Sequence, residues 1–220
     1  NRILFLVAPR PTGCTVLGEL KVLTVYAQLS GSFSIHVCVL IHLPKSKKWS
    51  TTVLRTIMSF ETKPLATCVK LTKTMDRHCF PKEMWLGNDE LEALLAHNAE
   101  ATIISRDGTP IGQAVTIPEA AAANILHEVD KLFHARPGAA YAYSEAILPA
   151  YQNQGYGALL LQEMAIRMRS RGFTSISAHV RTRFGWNTKR IHTLNVASKR
   201  RIFDFWEDPR EVVEYQDARL

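Results

Sequence analysis

The stretch from Ile147 to Leu161 (ILPAYQNQGYGALLL) constrains the chain most tightly. An apolar run from Ala140 to Leu148 reads as a strand, and Pro149 stops it. A polar turn with two glycines leads into the clearest helical pattern in the chain, Gly155 to Arg171. Leu161, Met164, Ala165 and Met168 share one face of that helix, and Gly172 stands where a helix-ending glycine belongs. A strand that passes through a glycine turn into a long helix aims several backbone N–H groups, and the positive end of the helix dipole, at one point. Such a turn is a seat for a phosphate or pyrophosphate, and Gly155 and Gly157 carry no Cβ to keep the backbone from an anion. The Walker pattern is absent, since no Gly-Lys-Ser/Thr follows. The dinucleotide fingerprint fails as well: Leu160 replaces its third glycine, and residues 175–180 hold no carboxylate.

Around this segment, Ala66–Thr72 reads as a strand, and Met75–Trp85 and Asp89–Asn98 as two short helices. Ala101–Ser105 and Ile111–Ile117 flank Asp107-Gly108 as a hairpin. Residues 119–137 read as a helix and loop, Thr174–Val180 as a strand, and Ile202–Trp206 with Glu211–Leu220 as a closing strand pair about Asp208-Pro209-Arg210. Nearer the start, Val22–Leu43 has no formal charge and the length to span a bilayer. From Phe33 to Leu43, however, apolar residues alternate, and Ser30-Gly31-Ser32 makes a turn, so a β-hairpin outweighs a membrane helix. Pro44–Ser50 is a basic candidate linker. Residues 1–65 therefore read as a β-rich extension, a hairpin plus linker, and residues 66–220 as the main domain.

The 220 residues include 27 Lys and Arg against 20 Asp and Glu, a net charge of +7 that invites a nucleic-acid reading. Residues 1–65 hold eight of the cations and two of the acids, so nearly all the excess lies in the extension. Ten Lys/Arg and no acid lie between Ala165 and Phe203, a second basic stretch. A nucleic-acid partner is disfavoured on that partition. Cys14, Cys38, Cys68 and Cys79 show neither CxxC spacing nor a His cluster, so no metal site is indicated and a reducing, cytoplasmic compartment fits them. His127 and His134 likewise make no metal pair.

Gln152, Gly155 and Gly157, with Ile147 and Pro149 at the preceding strand end, resemble the acyl-CoA loop of the Gcn5-related N-acetyltransferase (GNAT) superfamily. Met75–Pro81 (MDRHCFP) is similar to the Asp…Phe-Pro first helix of its amine and protein N-terminal members, and the element order over residues 66–220 is similar to the family's. The resemblance implies an α/β (α+β) fold with a mixed, mostly antiparallel sheet flanked by helices. It also implies transfer of an acetyl group from acetyl-CoA, as co-substrate and without a metal, to a primary amine by direct attack. The acceptor is a small molecule or a protein amine, the membrane is not a partner, and the chain is a monomer or homodimer.

Carried over, the backbone of Ala146, Ile147 and Leu148 bonds pantetheine, while Gln152, Asn153, Gln154, Gly155, Tyr156, Gly157 and Ala158 hold the pyrophosphate through N–H groups. The family's base lies on the fourth strand. Here that strand offers Tyr141, Tyr143 and Glu145, with Glu145 either functional or paired with an Arg, and the tyrosines either catalytic or core. Trp186 is a candidate for the acceptor pocket, and the 119–137 segment lies where members build acceptor-site loops. One departure stands out. Many members place Tyr seven residues after an Asn to protonate the leaving thiolate, but the count from Asn187 reaches Leu194 and from Asn195 reaches Ile202. The general acid is left unassigned, with Tyr215, His192 and solvent all open, and an acyl-CoA-binding sensor or scaffold without turnover is the alternative.

Overall fold

The computed structural model describes residues 20–29, 32–41, 56–126, 128–182, 185–203 and 212–220, with side chains from Met58 onward except that of Lys189. The Pro44–Ser50 linker, His127, the centre of the 181–187 segment and the turn at 208–210 lie outside them. The chain divides into two units. The first comprises Asn1–Phe60 and Ser105–Pro110. In it, β1 (Leu20–Leu29) and β2 (Ser32–Ile41) pair antiparallel from Leu20↔Ile41 to Leu29↔Ser32. The first half of β3 (Thr56–Pro64) continues the ladder on β2, from Thr56↔Val37 to Phe60↔Phe33.

The second unit comprises Glu61–Ile104 and Ile111–Leu220. Pro64 ends β3, a single 3-10 turn covers Leu65–Thr67, and α1 spans Val69–Cys79. The expectations of a strand over Ala66–Thr72 and of a helix from Met75 to Trp85 are both corrected here. Cys68, Thr72 and Met75 are the buried positions, and their spacing of four and three is helical. A seven-residue stretch is too short for its pattern to tell a strand from a helix. Phe80 is extended ahead of Pro81, which closes the helix, and Lys82–Met84 forms only a 3-10 turn.

α2 (Asn88–Ala96) follows, with the Glu90 carboxylate accepting the Gly87 N–H at 2.9 Å. β4 (Glu100–Arg106) and β5 (Thr109–Pro118) turn at Asp107 and Gly108, whose φ of 50° and 79° suit a type I′ hairpin. The order continues through α3 (Glu119–Leu126), β6 (Ala139–Ile147), α4 (Tyr156–Ser170), β7 (Ser175–Arg181), α5 (Trp186–Thr193), β8 (Asn195–Phe203) and β9 (Val212–Arg219). α5 was not legible in the sequence, because WNTKRIHT carries too few apolar residues to show a period. The final strand pair is β8 and β9, with β8 starting at Asn195 rather than Ile202.

The strand order in this unit is β3-β4-β5-β6-β7-β9-β8. β5/β6, β7/β9 and β9/β8 run antiparallel, and β6/β7 run parallel. The core joins Leu65, Leu94, Val115, Ile117, Ala122, Leu126, Phe133, Tyr141 and Val213. On α4, Leu160, Leu161, Met164 and Met168 are buried. Much of the basic 165–203 stretch meets acids from elsewhere: Arg167 on Glu163 at 2.7 Å, Arg171 on Glu100, Arg200 on Asp130 at 2.6 Å.

Two irregularities shape β6. The register with β5 slips by one residue between Val115 and Thr116, leaving Tyr143 without an opposite number. Near the other end, Gly112 faces Ile147, and a Cβ on Gly112 would lie 2.7 Å from the Ala146 carbonyl oxygen as well as against the Ile147 side chain. Gly112→Ala is expected to lower stability by about 1–3 kcal/mol through this overpacking, read from the denaturant midpoint.

Candidate active site at the fork of the sheet

β6 and β7 pair over only three rungs, Ala139↔Ser175, Ala140↔Ile176 and Tyr141↔Ser177. Beyond Tyr141 the two strands no longer pair with each other, so the sheet forks there. On its other side β6 remains bonded to β5, and the Leu148 N–H donates to the Ile111 carbonyl at 2.9 Å. Antiparallel alternation then turns the polar backbone groups of Ala146 toward β5 as well, and those of Glu145 and Ile147 toward the fork. Of the three residues expected to present backbone to pantetheine, Ile147 alone directs its groups into the gap. Leu148 gives its N–H to the ladder while its carbonyl accepts the Tyr151 N–H at 2.8 Å, and Ala146 turns its groups to the ladder. The Ile147 carbonyl accepts the Gln152 side-chain amide at 2.9 Å, which leaves its N–H for a ligand.

The loop after β6 is closed by its own side chains. Gln152 bonds Ile147, and the Gln154 amide donates to the Ala150 carbonyl at 2.9 Å. Gln152 thus acts in loop closure. Asn153 (φ 60°) and Gly155 (φ 87°) are left-handed, and Gly155 caps α4. The N–H groups of Gln152 and Ala158 go to the carbonyls of Pro149 and Gly155. Tyr156 and Gly157 stand ahead of the first intrahelical bond, with their N–H groups at the positive end of the dipole. A Cβ at Gly157 would push Trp186 aside, a constraint the sequence did not show: it would lie 2.6 Å from Cζ3 of that indole.

Trp186, at the start of α5, therefore packs against Gly157 in the turn that opens α4. Its indole N–H donates to Glu145 Oε2 at 2.5 Å, and Arg190 Nη1 holds Glu145 Oε1. Both side chains of this ion pair are buried, and Arg190 Nε and Nη2 have no partner among the described residues. Burial lowers the Arg190 pKa, and the Glu145 carboxylate makes its charge tolerable. Of the two readings of Glu145, pairing with an arginine is the one observed.

Tyr143 donates to Glu90 Oε1 at 2.6 Å, and burial together with that carboxylate holds its phenol well above the ordinary range. Tyr141 is buried, and its hydroxyl meets His179 Nδ1 at 2.9 Å. His179 Nε2 lies 2.9 Å from Asp130 Oδ2, which also takes Arg200 at 2.6 Å. Glu90, Asp130, His179, Arg190 and Arg200 were missed in the sequence; only the unbroken run of cations hinted that acids from other segments would come to meet them. Burial raises Cys68 and pushes Cys79 up to about 11, so neither thiol is a nucleophile near neutral pH. Among the described residues no group of His, Cys, Asp or Glu is arranged to hold a metal ion, and no helix is long and apolar enough to cross a membrane.

A sequence-family model described as the acetyltransferase (GNAT) family matches residues 68–192, more than half of the chain and all of the fork. The chain belongs to the GNAT acetyltransferase family. It is thus an acyl-CoA-dependent N-acetyltransferase. Solved structures share the fold. The ribosomal-protein-S18-alanine N-acetyltransferase from Escherichia coli is 17% identical, with 73% of this chain and 93% of that one covered at a TM-score of 0.51. An agmatine N-acetyltransferase is 12% identical over 74% and 100% of the two chains, at a TM-score of 0.55. The yncA protein of Salmonella typhimurium, solved with acetyl-CoA, is 15% identical over 74% and 94%, at a TM-score of 0.52. No curated protein sequence matches the chain.

Two outcomes check this geometry. Glu145→Gln leaves Arg190 buried without its counter-charge and is expected to cost about 3–5 kcal/mol in a denaturant titration; a carboxylate serving only as a base would leave stability unchanged. Gly157→Ala is expected to destabilise the loop, and Trp186→Ala to remove most of that cost in the double variant, a coupling measured by a double-mutant cycle.

Proposed function

We propose that residues 66–220 transfer the acetyl group of acetyl-CoA to the nitrogen of a primary amine by direct attack. The fork past Tyr141↔Ser177 carries this reading, because it leaves the Ile147 N–H unspent beside a helix N-terminus. That N–H would bond the pantetheine arm or polarise the thioester carbonyl, and the N–H groups of Tyr156 and Gly157 would hold the pyrophosphate. The residues fit the co-substrate: Gly155 adopts the left-handed turn that opens α4, with open space where its Cβ would be. Tyr141 stands at the mouth of the fork, where the strand that usually carries the base presents its side chains.

The acceptor would enter from the 119–137 side. Ala123, Asn124, Glu128, Phe133 and His134 line a cavity of about 540 Å³ there, and Phe133 and His134 also line a second of about 270 Å³ with Arg136, Arg200 and Tyr215. The free thiols Cys68 and Cys79 suit a reducing compartment, in keeping with a cytoplasmic enzyme.

A second reading draws on Leu194 and Ile202, seven residues after Asn187 and Asn195, neither of which is the tyrosine the resemblance leads one to expect. A chain that binds acyl-CoA without turnover would be a sensor or scaffold. Thiol release from acetyl-CoA across a panel of primary amines, beside acetyl-CoA affinity by calorimetry, separates the two. Amine-dependent release is expected; tight binding with no release from any amine favours the sensor. Gly157→Glu, which sets a carboxylate into the anion seat and against Trp186, is expected to weaken acetyl-CoA binding at least tenfold. Unchanged affinity would remove the loop assignment.

A further inference from the structure

The polar chain Tyr141–His179–Asp130–Arg200 starts from a core tyrosine, and its hydrogen bonds are used neither by the acyl-CoA loop nor by the apolar packing. It links four separate segments: β6, β7, the loop after α3, and β8. Its inner end is the Tyr141 hydroxyl, which reaches across the fork at its last paired rung to His179, two residues past that rung on β7. Its outer end, Arg200, lines the 270 Å³ cavity together with Tyr215 and Phe133. The His179 side chain is 2% exposed and that of Asp130 is 3% exposed, so three polar groups are aligned where water is excluded.

The hydrogen bonds fix the direction of the chain. Three donors converge on Asp130: Arg200, His179 Nε2 and the Leu132 N–H at 3.1 Å. Burial pushes the Asp130 pKa up, but those three bonds outweigh it and hold the carboxylate ionised. A carboxylate only accepts, so the proton of His179 sits on Nε2, and Nδ1 is the acceptor for the Tyr141 O–H. Both Tyr141 and His179 are neutral in this arrangement, and Nδ1 of the imidazole faces the tyrosine hydroxyl.

We infer that Tyr141, His179 and Asp130 form a proton relay for acyl transfer, in which Tyr141 exchanges protons with the substrates while His179 and Asp130 act through it as positioning residues. The inference rests on the amine-acetylation reading above. As the amine nitrogen forms its bond to the acetyl carbon, its proton passes to the Tyr141 oxygen while the Tyr141 proton moves to His179 Nδ1. The imidazolium so formed is balanced by the Asp130 carboxylate. When the carbon–sulfur bond breaks and the sulfur takes the electron pair, the same path runs backwards: His179 returns the proton to Tyr141, and Tyr141 passes its own to the thiolate. The products are the N-acetyl amine and the CoA thiol, and relay and carboxylate end as they began. One group thus serves as base and then as acid, which supplies the thiolate's proton in a chain with Leu194 and Ile202 where the resemblance leads one to expect a tyrosine.

The electrostatics agree. Burial lowers the His179 pKa below its ordinary 6.5, against the pull of Asp130 and with help from the charge on Arg200. Burial raises the Tyr141 phenol far above its ordinary value. The groups that face the imidazole are Tyr141 from β6, Tyr215 from β9 with ring centroids 5.2 Å apart, Asp130, and Arg200 from β8. Of these, His179 is the one whose pKa burial draws down from the ordinary imidazole value. It accepts a proton only while neutral, so activity is present above its pKa and is lost as pH falls through it.

The test uses the whole chain, acetyl-CoA and any amine that supports CoA release, with rates expressed per free amine. Wild type is expected to show an acid limb in kcat/KM below pH 6.5. His179→Gln, whose amide can bond both neighbours but carries no mobile proton, is expected to lose roughly 100-fold or more in kcat and to lose that limb. Asp130→Asn should retain part of the activity and move the limb to lower pH, since the imidazolium loses its counter-charge. Acetyl-CoA affinity should stay near wild type in both variants. Asp130→Asn is expected to lower the melting temperature, since Arg200 and His179 lose a buried carboxylate. Its effect is therefore read in the pH limb of the folded protein, which a role confined to packing would not move. A flat wild-type profile overturns the relay without any variant, should the variants fail to fold. Full activity in His179→Gln overturns the relay alone, whereas absence of CoA release from wild type with every amine overturns the acetylation reading and the relay with it.

Discussion

Everything of chemical interest in this chain depends on two parallel strands that pair briefly and then separate. β6 leaves the ladder with β7 after Tyr141↔Ser177 but keeps its antiparallel bonds to β5. A backbone that is bonded on one side and open on the other is a cost inside a protein, because unpaired N–H and C=O groups want partners. The fold bears that cost at one place, beside the αL turn that starts α4, so a strand edge and a helix N-terminus come to face one ligand. Gly112, with no side chain to interfere, lets β5 and the end of β6 approach closely enough to hold the open strand in place.

The fork is also where the buried charges gather. Glu145 and Arg190 neutralise each other behind the anion loop, with Trp186 spanning from that pair to Gly157. On the 119–137 side, Glu119 accepts from Ser177 and from Arg136, which continues to Asp217, while Asp130 joins His179 and Arg200. Three acid–base clusters thus pin the strands that surround the opening. Each draws its members from segments far apart in sequence, so their assembly reports a completed tertiary fold. Removing one member strands the others in a low-dielectric setting, which makes these clusters rigid as well as polar.

The strand, glycine turn and helix from Ala140 to Arg171 were readable because every signal there is local: an apolar run, a stop at Pro149, left-handed glycine, a helical stripe, Gly172 at the end. The hairpin about Asp107-Gly108 was readable for the same reason. α1 was misread because Ala66–Thr72 holds apolar residues at both helical and alternating spacings, and only burial chooses between them. α5 was invisible because its fixed points are a tryptophan against a glycine and a buried arginine, neither of which leaves a periodic trace.

The candidate site divides along the same line. The sequence by itself determined the family, the glycine turn at Gly155 and Gly157 that opens a helix, and the short set of side chains on β6 from which a proton-transfer group could come, since backbone conformation and helix dipole follow from residues close together in the chain. The tertiary structure alone decided what those side chains do. Glu145 became an ion-pair partner because Arg190 arrives from α5. Tyr143 was drawn to Glu90 on α2, and Tyr141 was given to His179 and Asp130 because β7 and the loop after α3 converge at the fork. Hydrogen-bond partners of a buried polar group are set by whichever distant segment reaches it, and no spacing along one strand encodes that choice.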